Sequence, residues 1–384
     1  MDFELTDEQR LLKDSVDRLI AGDYSFEKRQ EYQRMGPGWS PEMWATFADL
    51  GLLGLPFSAD HGGVDGGPIE MMIVMEAFGR GLVLEPYLST VVLAGGLITA
   101  AGSAEQKGRI LPRIASGELR AAFASNERQS RFDLHDVATT ARRGGSGWVL
   151  DGAKSLVLHG DTADMLIVSA RTSASRRDRT GISLFLVPTT AAGVGRHGYP
   201  TQDSLRAAEI TLSSVEVGDD ALLGSADGAL AAIERVVDEA IAALAAEAVG
   251  AMDALHALTV DYLKTRRQFG TVLGSFQALQ HRAVDMFVAV EQARSMAFLA
   301  AMMCRADDPV ERGKAIAAAK IQIGRSAHFV GQQAIQLHGG IGMTNEYKAG
   351  HYFKRLTMID LLFGDADHHL ARVAAMGSLL ERRS

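Results

Sequence analysis

Apolar and polar positions follow a helical period over the first third of the chain, break into short apolar runs in the middle third, and return to long helical stripes from Ala229 onward. Near the start, Thr6 to Gln9 reads as a capping box, in which a hydroxyl and an amide side chain satisfy free backbone groups at a helix N-terminus. Ser103 to Gln106 repeats the device, and Ser40-Pro41 reads as an N-cap followed by proline at the first helical position. Between these signals, 68–80 and 89–101 carry apolar residues at helical spacing, so residues 1–118 are predicted to form an N-terminal helical domain. The runs "RAAFAS", "GWVLDGAKSLVL", "DMLIVSAR", "GISLFLVP" and "AAEITLSSVEV" are strand-like and punctuated by Gly, Asp and Ser. They predict an antiparallel barrel or sandwich as the middle domain, 119–224, with "RTSASRRDRTG" (171–181) as a solvated hairpin turn. Helices follow over about 229–265, 275–304 and 309–338, then shorter ones, making 225–384 a C-terminal helical bundle. Asp308-Pro309 caps the third of these helices and Gly339-Gly340 stops it. The fold class is α+β and multidomain.

Composition narrows the function classes. The chain has 384 residues, 47% hydrophobic and 22% charged, which is enough for a large buried core. A run of about 18 apolar residues without a charge is missing, and the opening "MDFELTDEQRLLKD" is acidic and amphipathic, so no stable membrane insertion and a cytoplasmic location are expected. A formal net charge of -8 argues against a nucleic-acid partner. The single cysteine, Cys304, sits in a helical stretch and reads as a buried thiol, with no intrachain disulfide or thiolate cluster available to it.

The chemistry-bearing residues lie in the C-terminal half. "RRQFGTVLGSFQ" (266–277) stands where one long helix ends and the next begins. Its guanidinium suits a pyrophosphate, its aromatic can lie along a planar ring, and its Gln supplies amide hydrogen bonds. A positive helix C-terminus, favoured by the macrodipole, explains the arginines equally well. "QQAIQLHGGIGM" (332–343) joins a helix end, two glycines and an amide, letting a backbone approach a ligand closely, though a plain glycine C-cap gives the same pattern. Near the end, "LLFGDADHH" (361–369) packs two aspartates and two histidines together. Asp365 with His368 or His369 shares a helical face, but without a third ligand no metal site is expected.

Together these elements resemble the acyl-CoA dehydrogenase family, and the resemblance covers the whole chain. "YLKTRRQFG", "FQALQHRAVDM" and "QLHGGIGM" are particularly similar to the small subunit of pimeloyl-CoA dehydrogenase and to related two-subunit members. The resemblance implies a helical N-terminal domain, an antiparallel β-barrel middle domain and a C-terminal four-helix bundle. It implies FAD as cofactor, an acyl-CoA substrate desaturated between its α and β carbons, and electron-transfer flavoprotein as redox partner. By the family pattern Arg266, Phe269 and Gln277 are FAD contacts offered to a neighbouring subunit, and Gln336, Gly339 and Gly340 bind FAD across the subunit interface.

The departures are as informative. Such a reaction needs a carboxylate to take the α proton, hydrogen bonds to the thioester oxygen, and exclusion of water. Where many members carry the catalytic Glu, this chain has Phe363, or Gly364 with a one-residue gap; Asp365 and Asp367 replace residues that touch FAD in the family. At the family's second location for the base, an ungapped count gives Ala240, beside Glu239. Asp365 and Glu239 are therefore weak candidates, and the catalytic residue is unassigned. In the middle domain "SNERQSRFDLHD" (125–136) keeps Glu127 but loses the family's Pro and Gly-Ser pattern, and "DGAKSLVLHG" (151–160) has Leu156 and Leu158 where an aromatic and a Thr flank the flavin. These features predict a subunit of an α2β2 complex whose second, similar chain supplies the carboxylate. A homo-oligomeric enzyme using Asp365 or Glu239, and a non-redox CoA-ester-binding scaffold, are the alternatives. Should the acyl group carry a second carboxylate, Arg131, Arg206 and Arg282 are the cations to consider.

Overall fold

A computed structural model describes residues 5–377. In chain order the helices α1 (Asp7–Asp23), α2 (Phe26–Arg34), α3 (Pro41–Asp49), α4 (Pro68–Gly81), α5 (Gly96–Ala101) and α6 (Ala104–Ala115) come first. Eight strands follow: β1 (Ala121–Ala124), β2 (Thr140–Gly144), β3 (Gly147–Leu158), β4 (Met165–Arg171), β5 (Ile182–Pro188), β6 (Val194–Pro200), β7 (Arg206–Gly218) and β8 (Leu222–Leu223). Then come α7 (Leu230–Thr265), the two-stranded ribbon β9 (Arg267–Gln268) and β10 (Thr271–Val272), α8 (Gln277–Met303), α9 (Pro309–His338), α10 (Ala349–Leu361) and α11 (Ala366–Ala375).

The sequence signals for helix starts act as read. Thr6 and Ser103 both make complete capping boxes with Gln9 and Gln106, Ser40 accepts from Met43 N ahead of Pro41, and Asp308 accepts from the amides of Val310 and Glu311. One helical stretch differs from expectation: Leu88–Gly95 is π-helical before α5 continues it. Its buried Thr90 bonds the backbone of Ala121 in both directions (3.0 and 3.3 Å), a tertiary tie that a helical period does not reveal.

The chain forms two compact units, each built from separated segments. One consists of the described parts of Met1–Glu31, Pro68–Val83 and Ile241–Ser384; the other of Tyr32–Gly67 and Leu84–Ala240. The second unit holds the eight-stranded sheet, ordered β6-β7-β3-β2-β4-β5-β8 with β1 added beside β4. Its pairings are antiparallel except β1 with β4 and the single β2–β4 pair Thr140↔Arg171. The inward face packs Trp148, Leu150, Val168, Phe185, Ile210 and Val215 into one apolar core. The turn after β4 departs from a purely solvated hairpin: Arg171 is buried, and its guanidinium donates to the carbonyls of His135, Arg176, Asp178 and Thr180, fixing the loop from beneath.

In the first unit α4 crosses α7 at glycine contacts. A Cβ on Gly79 would lie 1.9 Å from the Glu247 carbonyl oxygen, and one on Gly250 would lie 1.8 Å from that of Glu76. Gly250→Ala is therefore expected to lower this chain's stability by about 1–3 kcal/mol through overpacking. Denaturant unfolding checks it, and an unchanged midpoint would mean that the two helices can part at no cost. Nearby, Arg355 makes a buried ion pair with Glu247, its Nε 2.6 Å from Oε1 and its Nη2 2.7 Å from Oε2. The long helices α7 and α8 are each long and apolar enough to cross a bilayer by length and composition, but the apolar stretch of α7 is 72% buried inside the protein. That of α8 is only 39% buried, leaving Val284, Phe287 and Val288 exposed.

Candidate functional site

The run 266–277 folds into an exposed arm of the first unit. After α7 ends, β9 and β10 pair through Arg267↔Val272 and Gln268↔Thr271, leaving Phe269-Gly270 as a two-residue turn. Both turn residues have positive φ, +53° and +80°, the combination of a type I′ hairpin turn. A phenylalanine in that region is strained, and here it holds the ring 88% exposed, 6.1 Å from Phe276 at nearly a right angle. Arg266 is exposed and makes no ion pair among the described residues, and Gln277 opens α8 with its side chain in solvent.

The second element closes α9. Gln336 is exposed on its last turn, and Gly339 takes φ +63°, ψ -142°, a region that only glycine enters readily. A Cβ on Gly339 or Gly340 would meet nothing within 4 Å, so the backbone there faces open space. An aromatic group links the two elements: Tyr262, whose carbonyl accepts from Arg266 N (2.8 Å), has its ring 4.6 Å from His338, and His338 lies 5.1 Å from Tyr347. His338 is buried, its Nδ1 2.8 Å from the Ala334 carbonyl, and burial pushes its pKa down. In the sequence Tyr262 and His338 are marked only by position, one turn before Arg266 and directly before Gly339, and Tyr347 carries no such mark.

The Asp-His run turns a corner between α10 and α11. Phe363 (φ +59°) and Gly364 (φ +107°) are both left-handed, and a Cβ on Gly364 would meet His368 Cδ2 at 2.4 Å and His369 Nε2 at 2.9 Å, so a side chain there is doubly disfavoured. Asp365 is the N-cap of α11, its Oδ1 accepting from His368 N at 2.8 Å. His369 is fully buried and its Nε2 lies 3.0 Å from the Phe363 carbonyl, which makes it a donor that holds the strained corner. Beneath, the buried Lys320 Nζ donates to the carbonyls of Ile359 and Asp360, both at 2.7 Å. The histidines and Asp365 thus serve the corner rather than facing one another as a ligand set.

Burial, with the nearby Lys320 charge adding to it, pushes His369 down to about 3. In the unfolded chain a histidine titrates near 6.5, so below that pH the unfolded state binds the proton more readily. The contribution is complete above pH 6.5 and is lost as pH falls toward 3. We expect His369→Phe, which keeps a ring but cannot titrate, to flatten the acid limb of the stability profile by up to about 1.4 kcal/mol per pH unit. Parallel slopes for the two proteins between pH 6 and 4 would contradict this assignment.

In the second unit Glu239 pairs with Arg235 one turn earlier on α7 (3.6 Å), while Ala240 is fully buried. Glu127 is buried against Lys154 (2.7 Å) and also accepts from the amides of Ala138 (2.8 Å) and Thr139 (3.0 Å). Burial alone would raise its carboxyl, but the Lys154 charge and these hydrogen bonds outweigh that and hold it at about 2. Leu156 has φ +51° and sits within a register shift of β3 against β7, between Lys154 and Val157; it and Leu158 are half-buried and offer no aromatic face or hydroxyl.

Three domain patterns of acyl-CoA dehydrogenases match the chain: the N-terminal domain over residues 6–118, the middle domain over 122–215 and the C-terminal domain over 226–377. These define a flavin-dependent oxidoreductase fold of helices, sheet and helices. The chain belongs to the acyl-CoA dehydrogenase family. It is 31% identical over 355 residues to the acyl-CoA dehydrogenase FadE12 of Mycobacterium tuberculosis, covering 90% of this chain and 89% of that one. It is 28% identical to the probable acyl-CoA dehydrogenase YngJ of Bacillus subtilis, covering 99% and 100%. Among solved structures, the Tcur3481-Tcur3483 steroid ACAD superposes with a TM-score of 0.86 at 28% identity, covering 96% of this chain and 97% of that one.

The residues present fit FAD in part. The first unit offers a guanidinium without an ion pair among the described residues, an exposed ring, amide side chains and a bare glycine backbone, groups that suit a dinucleotide. The leucines of the second unit supply neither a stacking ring nor a hydroxyl at the positions where the family pattern has them.

Proposed function

We propose that this chain is a cytoplasmic subunit of an FAD-dependent acyl-CoA dehydrogenase whose site is completed by a second chain of the same fold. Arg266, Phe269, Gln277, Gln336, Gly339 and Gly340 would hold FAD, which when bound accepts the hydride from the β carbon of the thioester. The observation that carries the reading is the contrast between this exposed arm and the corner at 363–365. The arm offers an exposed guanidinium, ring and amide, while the corner has a phenyl ring, a glycine with no room for a side chain, and an aspartate that caps a helix. Removing the α proton requires a carboxylate, which on this reading comes from the partner, giving an α2β2 assembly with fewer flavins than chains. The apolar exposed face of α8 supports association with another chain, and electron-transfer flavoprotein is the redox partner that fits. The likeness to a steroid ACAD named for two components supports a bulky, ring-containing acyl group; the sequence resemblance to pimeloyl-CoA dehydrogenase supports a dicarboxylic one.

The test is dehydrogenation by the assembled complex after Asp365→Asn, which keeps an N-cap, and after Glu239→Gln. Turnover within about twofold of the parent is the expected result. Loss of two or more orders of magnitude with either variant, the scale of a missing general base, would place the base in this chain.

A further inference from the structure

The segment 125–136, where the chain departs from the family pattern, carries a feature unlike the rest of the sheet unit. Asp133 N donates to the Ser130 carbonyl (2.8 Å), so Ser130–Asp133 is a β-turn with Arg131 at its second position. Arg131 has φ +47° there, in a place that turn chemistry reserves for Gly, Asn or Asp. It is the only Lys or Arg with positive φ among the described residues. The turn does not drift into this conformation. Ser130 Oγ donates to the Glu127 carbonyl (2.9 Å) and accepts from Glu127 N (3.1 Å), and Glu127 is itself locked by Lys154 and two backbone amides. A strained residue that its surroundings over-determine is a reason to look for function.

The charges around the turn are otherwise matched. Arg128 faces Glu209 (3.4 Å), Asp133 faces Arg177 (3.4 Å), and Asp136 faces Arg176 (2.6 Å). Arg131 is exposed and makes no ion pair among the described residues, its guanidinium 5.9 Å from the ring of Phe132. The two other arginines considered for an acyl carboxylate are engaged: Arg206 Nε donates to Asp161 (2.8 Å), and Arg282 reaches Gln333 Oε1 (3.4 Å).

We propose that Arg131 is an anion-recognition residue for CoA thioesters, presenting its fork to a phosphate of the nucleotide or to the terminal carboxylate of a dicarboxylic acyl group, with Phe132 beside it. The proposal rests on the reading that this chain handles acyl-CoA. Arg131 is exposed, and the bonds from Ser130 to Glu127 and from Glu127 to Lys154 fix the backbone ahead of it, so the turn itself needs no ordering when the anion binds.

Calorimetric titration of the full chain in its assembly with butyryl-CoA and with glutaryl-CoA tests this, comparing the parent with Arg131→Gln and Arg131→Gly. Weakening of about tenfold or more is expected for both variants, of the size a charge-assisted hydrogen bond supplies. Equal weakening for the two thioesters puts the anion on the nucleotide; weakening confined to glutaryl-CoA puts it on the acyl chain. Arg131→Gly should at the same time raise the melting temperature by about 2 °C, because glycine takes the left-handed turn without strain. An arginine with a merely structural role would lose stability on the same substitution. Unchanged affinities for both thioesters, or no thioester binding by the parent, would overturn the proposal. Flavin absorbance of the same samples reports separately on the functional reading: an assembly without flavin fails that reading, whereas a yellow assembly indifferent to Arg131 fails only this one.

Discussion

Arg266→Gln is expected to strip flavin from the assembled enzyme, weakening FAD retention by about 10- to 100-fold while leaving the melting temperature of this chain alone unchanged. Arg266 follows the last turn of α7, is solvent-exposed and makes no ion pair among the described residues, so its removal takes nothing from the folded subunit. A bidentate, charge-assisted contact to a pyrophosphate is worth about 1.5–3 kcal/mol, which is the stated range of affinity. Phe269→Ala should act in the same direction by about 0.5–1.5 kcal/mol, since the loss is one ring contact. Dialysis of the loaded complex followed by flavin absorbance checks both. Full flavin retention in Arg266→Gln would remove the arm from the cofactor site.

The second large effect concerns the buried pair in the sheet unit. Glu127→Gln should destabilise the chain by about 3–5 kcal/mol, because it leaves the Lys154 ammonium buried beside a neutral amide. Lys154→Met should do comparable damage by orphaning the carboxylate, and the double variant should recover part of the loss. The pH sign follows from the depressed carboxyl: its contribution is complete above an ordinary carboxylate pKa near 4.5 and fades as pH falls toward about 2. Glu127→Gln should therefore lose most at neutral pH and converge on the parent only as pH falls to about 2. Additive losses in the double variant would show that the two groups act independently. Because this pair also pins the turn that holds Arg131, thioester affinity should fall with it.

Much of this architecture is legible from the chain. Caps are local chemistry, so Thr6, Ser40, Ser103 and Asp308 declare helix starts from residue type and spacing alone. The runs of β3, β4, β5 and β7 are apolar on at least one face, and their periodicity suffices. By contrast β6, "VGRHGYP", is glycine-rich and half-exposed, so it reads as a loop until pairing with β7 supplies its order. The π-helical turn at Leu88–Gly95 and the two-unit division depend on contacts between distant segments, which no window along the sequence contains.

The candidate site divides the same way. Arg266, Phe269, Gln277 and the glycines at 339 and 340 stand out as candidates because the runs that hold them resemble the family's, and the structure places them on an exposed arm and an open helix end. The role of the Asp-His run does not: whether Asp365 caps a helix or faces a substrate depends on the backbone at Phe363 and Gly364, and whether His369 titrates depends on its burial. Arg131, Arg206 and Arg282 look equivalent as letters, and only their neighbours separate them.

The most direct measurement is the flavin-to-chain ratio together with the native mass of the purified protein, alone and co-expressed with a similar-length partner of the same family. Little flavin on the lone chain, and an α2β2 mass with fewer flavins than chains in the mixture, are the expected results. One flavin in every protomer of an active, homo-oligomeric lone chain would contradict it and return the search for the base to Asp365 and Glu239.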